Sequence, residues 1–178
     1  ILSAFNVVLT KKTTFDELIS RPSDFFYRFD IEFALTFGPS FGDKFMGLLS
    51  KSKSQTRQDL FVINELKYKF NGFFVEFGAT DGLNLSNTYL LEKEFNFKGI
   101  LAEPNPRQSR KIKEIRNVPV ETKCVWRKSG EKIDFVDAGD LSTIINFASS
   151  DRHAEKRFGK KIFLFETISL TDMLKKYH

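Results

Sequence analysis

The sequence predicts an α/β protein built on a doubly wound parallel sheet, and three observations predict it. Two short apolar runs, residues 72–78 (GFFVEFG) and 98–104 (KGILAEP), lack polar alternation, as strands buried on both faces do. Each is followed by a helical pattern, residues 84–95 (NLSNTYLLEKEF) and 106–115 (PRQSRKIKEI). A third strand pattern, residues 118–126 (VPVETKCVW), completes a strand–helix–strand–helix–strand series at the spacing of parallel crossovers. Right-handed crossovers put 72–78 at the centre and the later strands successively outwards.

Ahead of the sheet, residues 1–71 read as a mostly helical extension. TFDE at 14–17 is a capping box with Phe15, Leu18 and Ile19 on one face, and Pro22 ends that helix. Residues 25–37 fit a helix through Phe25, Phe29 and Phe33. They also fit a strand through Phe29, Ile31, Phe33, Leu35 and Phe37; the helix is preferred. GPSFGD at 38–43 is a loop and SKSKS at 50–54 a flexible joint. Residues 55–69 form a helix with Leu60, Ile63 and Leu66 inward.

Residues 72–178 form the second domain. Within it, Leu91 and Phe95 lie four apart on the first helix, and Pro106 occupies the first turn of the second. Beyond Trp126, EKIDFVDA at 131–138 and KKIFLFETI at 160–168 are strand-like. They pair as a hairpin with a long excursion that carries a polar helix at 149–158. A last helix opens at Ser169, its cap, with Asp172 at the third helical position. Its stripe of Leu170, Met173, Leu174 and Tyr177 needs a cover.

Composition narrows the class. A chain of 178 residues with 41% hydrophobic residues can bury a real core, and 21 Phe make that core aromatic. One cysteine, Cys124, rules out an intrachain disulfide framework and suits a reducing compartment, so the expectation is a cytoplasmic protein. No apolar run approaches the ~20 residues of a membrane span. The net charge is +5, with nine Lys or Arg in 107–132. That stretch reads as a solvated face or as a surface for an anionic acceptor. No zinc spacing, aromatic RNA-binding motif or helix-turn-helix pattern supports nucleic acid, and no His, Cys or Asp cluster has metal-ligand spacing.

The first strand stops in Gly78-Ala79-Thr80-Asp81-Gly82, a glycine loop between strand and helix where a ligand approaches backbone closely. It is not the G-x-G-x-x-G dinucleotide fingerprint. Glu76 and Asp81 would repel a pyrophosphate and attract a ligand carrying an ammonium and a sulfonium, such as S-adenosylmethionine. Glu103 ends the second strand about 20 residues on, where an acid binds two ribose hydroxyls. Glu103 alone argues for an adenosine-bearing cofactor without choosing one. The loop acids make the choice.

These residues carry a resemblance. FFVEFGATDGLNLSNTYLLEKEFNFKGILAEPNP is similar to the FkbM family of S-adenosylmethionine-dependent methyltransferases, with its F-V-x-x-G-A-x-D-G loop, S-N-T helix start, L-E-K and G-x-x-x-E-P-N strand end. The match is close over residues 72–106 and looser over 58–72 and 118–176, where LSTI and SLTDML are similar to family patterns. Residues 1–53 have no recognised counterpart. The resemblance implies a Rossmann-like methyltransferase sheet. It assigns Glu76, Gly78, Ala79, Thr80, Asp81 and Gly82 to the cofactor loop, Glu103 to the ribose and Asn105 to the adenine edge. It also implies methylation of an oxygen on a sugar, glycolipid or small metabolite. Ser86, Asn87 and Thr88 fall on the S-N-T element, with Asn87 beside the cofactor; helix capping explains Asn84 and Ser86 equally well. Cys124 falls beside the adenine pocket or is simply a small buried residue.

The family continues into a fourth strand ending in a D-x-E-G-like motif, and no such motif occurs here. The expectation is therefore the N-terminal part of a longer protein, inactive alone, whose first strand keeps an open edge for self-association. No general base is assigned. His153, the only internal histidine, sits on a polar helix face. The alternatives are a binding module without turnover, or a nucleotide- or NAD-binding enzyme of the same fold.

Overall fold

The computed structural model describes Phe33, Leu35, Thr36 and residues 44–177. The capping box at 14–17, the break at Pro22, most of 25–37 and the loop at 38–43 lie outside the described residues. Phe33, Leu35 and Thr36 are helical, and Phe33 is buried. The described chain is mixed α/β, with six α-helices and two sheets. It divides into two compact units, one from residues up to Gly72 plus Leu85–Phe97, the other from Phe73–Asn84 plus the residues from Lys98 on.

The first unit holds α1 (Phe45–Lys51), α2 (Gln58–Glu65) and α3 (Tyr89–Phe95). Leu60 and Ile63 point inward as expected, but Leu66 is 42% exposed. The helix ends at Glu65, and Lys67 and Tyr68 turn left-handed with φ of 52° and 60°, which swings Leu66 out of the inward row. The serine-rich stretch at 50–54 is not a flexible joint. Lys51 closes α1, and Ser52 and Ser54 are buried. Ser52 Oγ donates to Asp59 Oδ1 at 2.8 Å, Ser54 Oγ donates to Asn87 Oδ1 at 2.7 Å, and Gln58 N donates to Ser54 Oγ at 3.0 Å. Ser86 Oγ accepts from the N–H groups of Thr88 and Tyr89 at 3.3 and 3.2 Å, which fixes the turn into α3, whose N-cap is Thr88 and carries no side-chain cap bond.

In the second unit β1 (Phe73–Phe77), β2 (Lys98–Ala102) and β3 (Val120–Glu121) form a parallel sheet in the order β1-β2-β3. Val75 lies opposite Ile100, and Leu101 opposite Val120. Among the described residues β1 pairs only with β2, so it ends the strand order instead of occupying its centre. Nor is β1 buried on both faces: Phe73 and Phe77 are 45% and 52% exposed. Gly99 is forced by Phe74. A Cβ there would meet the Phe74 ring at 2.4 Å and its carbonyl oxygen at 2.5 Å. Behind Phe74 lies α4 (Pro106–Ile115), whose following residue Arg116 stacks 5.7 Å from the ring.

The expected third strand is two. Glu121 Oε1 accepts from Lys123 N at 2.8 Å, the chain jogs, and β4 (Cys124–Val125) joins a second sheet. That sheet runs β4-β7-β5-β6, with β5 (Lys132–Val136), β6 (Thr143–Ile144) and β7 (Ile162–Ile168). β5 and β7 pair antiparallel, Lys132 opposite Glu166 through Val136 opposite Ile162, as the hairpin reading expects. The polar helix of the excursion shrinks to α5 (Ala154–Arg157).

α6 (Leu170–Tyr177) finds its cover within the chain. Met173 is fully buried in a cluster with Ile100, Ala102 and Ile168, and Val75, Val125, Leu174 and Tyr177 pack against it. Leu170 stays 42% exposed. Ser169 Oγ accepts from Asp172 N at 3.1 Å, as the cap reading requires, while Ser169 N donates to Ser129 Oγ at 2.8 Å. Lys176 Nζ reaches the buried Glu121 Oε2 at 2.9 Å and fixes the far end.

Candidate functional site

The loop after β1 is built by backbone bonds. Gly78 and Ala79 N both donate to Ala102 O on β2, at 2.9 and 3.2 Å, and Gly82 N donates to Ala79 O at 2.7 Å. Asp81 Oδ1 accepts from Leu83 N and Asn84 N at 3.0 and 2.8 Å, and Oδ2 accepts from Asn84 Nδ2 at 2.6 Å. Burial acts to raise the Asp81 carboxyl, but these three bonds and the charge of Lys111 outweigh it and hold it below the usual carboxylate value. The backbone is left-handed at Gly78, Thr80 and Gly82, with φ of 63°, 47° and 77°. For β-branched Thr80 this is strained, at a cost of about 1–3 kcal/mol.

Glu103 holds the strained residue. It is 6% exposed at the end of β2. Its Oε2 accepts from Thr80 N at 2.9 Å and its Oε1 from Asn105 N at 2.8 Å. The carboxylate therefore ties the loop after β1 to the chain after β2.

Beside these strand ends lies a cavity of about 280 Å³. Gly78, Thr80 and Glu103 form one side of it, with Phe77, Ala102 and Pro104. Cys124, Phe135 and Ser142-Thr143-Ile144 form the other. The Cys124 thiol is pushed up to about 11, first by burial and then by the negative charge of Glu103. It stays protonated at neutral pH and is a poor nucleophile. Ser142 Oγ donates to Gly139 O at 2.6 Å and accepts from Ala138 N at 2.9 Å. Among the described residues Glu103 and Cys124 are the only acidic groups on the lining.

Of the nine residues expected at the cofactor, Gly78, Thr80 and Glu103 come together on this cavity. Ala79, Asp81 and Gly82 shape the loop behind it. Ala79 is buried, and a Cβ at Gly82 would meet Ile112 Cγ1 at 3.0 Å, so this glycine serves contact with α4. Glu76 sits half-buried on β1 opposite Leu101, off the cavity lining. Asn105 caps α4, its side chain accepting from Arg107 N at 3.0 Å and donating to Asp137 Oδ1 at 3.1 Å. Asn87 belongs to the first unit, bonded to Ser54. His153 lies at the start of α5, its N–H donating to Asp151 Oδ1 at 2.8 Å, and is not on the lining.

The sequence reading missed the outer wall, Phe135 and residues 142–144. Its one local signal is the LSTI segment; what brings it to the cavity is the pairing of β5 with β6, Phe135 opposite Ile144. Cavities of about 520 and 330 Å³ occur elsewhere, but neither is lined by residues at the strand ends of the parallel sheet, where open α/β sheets bind ligands. Among the described residues no group of three or more His, Cys, Asp or Glu can hold a metal ion, and no helix is long and apolar enough to cross a membrane. No family model matches this chain, and no curated protein or solved structure matches it either.

Proposed function

We propose that this chain is the cofactor-binding part of an S-adenosylmethionine-dependent methyltransferase with a Rossmann-like sheet, related to the FkbM family, that methylates an oxygen of a sugar, glycolipid or small metabolite. One observation carries the reading: the glycine loop after β1 and the acid after β2 line one cavity. The N–H groups of Gly78, Ala79, Thr80, Gly82, Leu83 and Asn84 all donate within the chain. A pyrophosphate bound at such a loop needs N–H groups pointing at it. Here a carboxylate stands beside the cavity instead, suited to ribose hydroxyls and to a cationic ligand. The acidity comes from Glu103 more than from Glu76 or Asp81, which lie off the lining. A carboxylate has about four acceptor sites, so holding two N–H groups is compatible with accepting hydroxyls. The cavity, about 280 Å³, is near the ~300 Å³ lower bound of ligand sites.

Chemically the site would position the acceptor oxygen about 3–3.5 Å from the methyl group and exclude water. The walls suit both roles, since Phe77, Phe135 and Ile144 are apolar, and Thr80 and Glu103 supply the polar groups. A second reading, a binding module without turnover, is favoured by the bonding of Glu103, the one carboxylate on the described lining, to the N–H groups of Thr80 and Asn105.

The test is thermal unfolding of the protein with S-adenosylhomocysteine and, separately, with NAD. At 100 times its Kd, S-adenosylhomocysteine should add about 2.7 kcal/mol of stability, and NAD should add nothing. Equal stabilisation by both, or by NAD alone, refutes the cofactor assignment. Binding without methyl transfer to any hydroxyl acceptor selects the binding module.

A further inference from the structure

Between β5 and β7 the usual arrangement of charge and ring is inverted. Arg157, on α5, is 8% exposed, whereas the next residue, Phe158, is 91% exposed. The guanidinium is held by four bonds: Nε to Leu141 O at 2.6 Å, Nη1 to Ala148 O at 3.2 Å, and Nη1 and Nη2 to the two oxygens of Asp151 at 2.7 and 2.9 Å. The turn is closed by Phe158 N on Glu155 O at 3.2 Å and Lys160 N on Arg157 O at 3.1 Å, with Gly159 left-handed at φ of 67°. The anchored arginine therefore fixes a tip that presents the ring to water.

The tip is also basic. Arg152, Lys156, Lys160 and Lys161, near Phe158 in the sequence, are all exposed, Lys161 with its Nζ 4.7 Å from the Phe163 ring centroid, against Glu155 alone once Asp151 is taken by Arg157. Just beyond, Ile162 and Leu164 on β7 are 49% and 60% exposed. A cavity of about 520 Å³ opens at the same place, lined by Ala148, Ser149, Ala154, Glu155, Arg157 and Phe158.

We propose that the Phe158 tip docks on an anionic lipid bilayer, with the ring in the headgroup layer and the surrounding cations against the lipid anions. Charge complementarity selects this partner. Interfacial segments bury Phe, Trp and Leu side chains at the headgroup–acyl boundary, and Lys or Arg stems lie along apolar surface while their heads meet the headgroups. Each cation near an anionic leaflet adds an increment, and an apolar anchor adds one that salt does not screen. The inference stands independently of the cofactor assignment.

The experiment is co-sedimentation of the protein with vesicles of phosphatidylcholine alone or mixed with phosphatidylserine. Binding is expected to the mixed vesicles only, weakening as salt rises. Phe158→Ser should weaken it about tenfold, and Lys160→Ala with Lys161→Ala about tenfold or more. All three side chains are exposed, and matching melting curves confirm that the variants stay folded. In Phe158→Trp the new fluorescence should be quenched by lipid-borne quenchers beyond the Trp126 signal of the parent. The proposal is overturned if phosphatidylserine vesicles leave the protein in the supernatant, if both vesicle types bind it equally, or if either set of substitutions leaves binding unchanged.

Discussion

At the end of β2 a buried carboxylate, Glu103, ties two backbone N–H groups and lines the cavity at the strand ends. In the excursion between β5 and β7 a buried guanidinium, Arg157, ties two carbonyls and a carboxylate. Both are ions taken out of water and satisfied by the chain. What they brace differs. Glu103 braces a loop whose own polar groups are spent inward, leaving the acid on the cavity lining. Arg157 braces a turn whose apolar residue is sent outward. Burial of a charge marks a structural joint in both places; the neighbours it positions decide what the joint is for.

Removing Glu103 is the strongest way to break the comparison. Glu103→Ala leaves the N–H groups of Thr80 and Asn105 buried without their acceptor and frees the strained Thr80, and should cost about 3 kcal/mol in chemical denaturation. Glu103→Gln keeps one of the two acceptor oxygens and turns an amide NH2 towards the other N–H, so it should retain only part of that stability while weakening S-adenosylhomocysteine roughly ten- to a hundredfold by calorimetry. A Glu103→Gln variant that binds normally would reduce Glu103 to the structural role of Arg157.

Next in size is the thiol. Cys124 should react slowly with iodoacetamide at pH 8, because burial and the Glu103 charge push its pKa up to about 11. Glu103→Gln removes the second cause and should speed alkylation several-fold, with burial still limiting the rate. Under the proposed function S-adenosylhomocysteine should protect Cys124 in the parent, because Cys124 lines the cavity proposed for it. Alkylation indifferent to both changes would detach Cys124 from Glu103.

The smallest effect concerns acid. Hydrogen bonds from Arg157, then from the His153 N–H, bring the Asp151 carboxyl down to about 2. A depressed carboxyl stabilises the folded state above its unfolded pKa of ~3.9, and that contribution is lost as pH falls from there towards about 2. Protease cutting within 148–161 should rise over that window before the parallel sheet opens. Cutting that begins only with global unfolding would show that the excursion is held by its strand pairs alone.

Elements with local signals were legible in the sequence. Pro106 after Asn105 marks the start of α4, Ser169 marks α6, and the apolar runs mark β1 and β2. The sequence reading also placed Gly78, Thr80 and Glu103 at one site. What it missed depends on residues far apart in the chain. The break between β3 and β4 follows from Glu121 binding Lys123 and, from α6, Lys176. The serines at 52 and 54 have a linker's composition but find partners in Asp59 and Asn87. Glu76 and Asp81 were chosen by charge and proximity, and neither signal reports that Asp81 turns back on its own backbone. The far wall of the cavity needed the pairing of β5 with β6, which composition does not encode.

The loop after β1 has a kinetic consequence. Six of its N–H groups are already bonded within the chain, and its strained Thr80 is held by a carboxylate, so its shape exists before any ligand arrives. A ligand entering there has little chain to order, and the entropy of fixing the loop was lost at folding. Association should then approach the rate at which the ligand finds the opening, and differences between ligands should show in how long each stays.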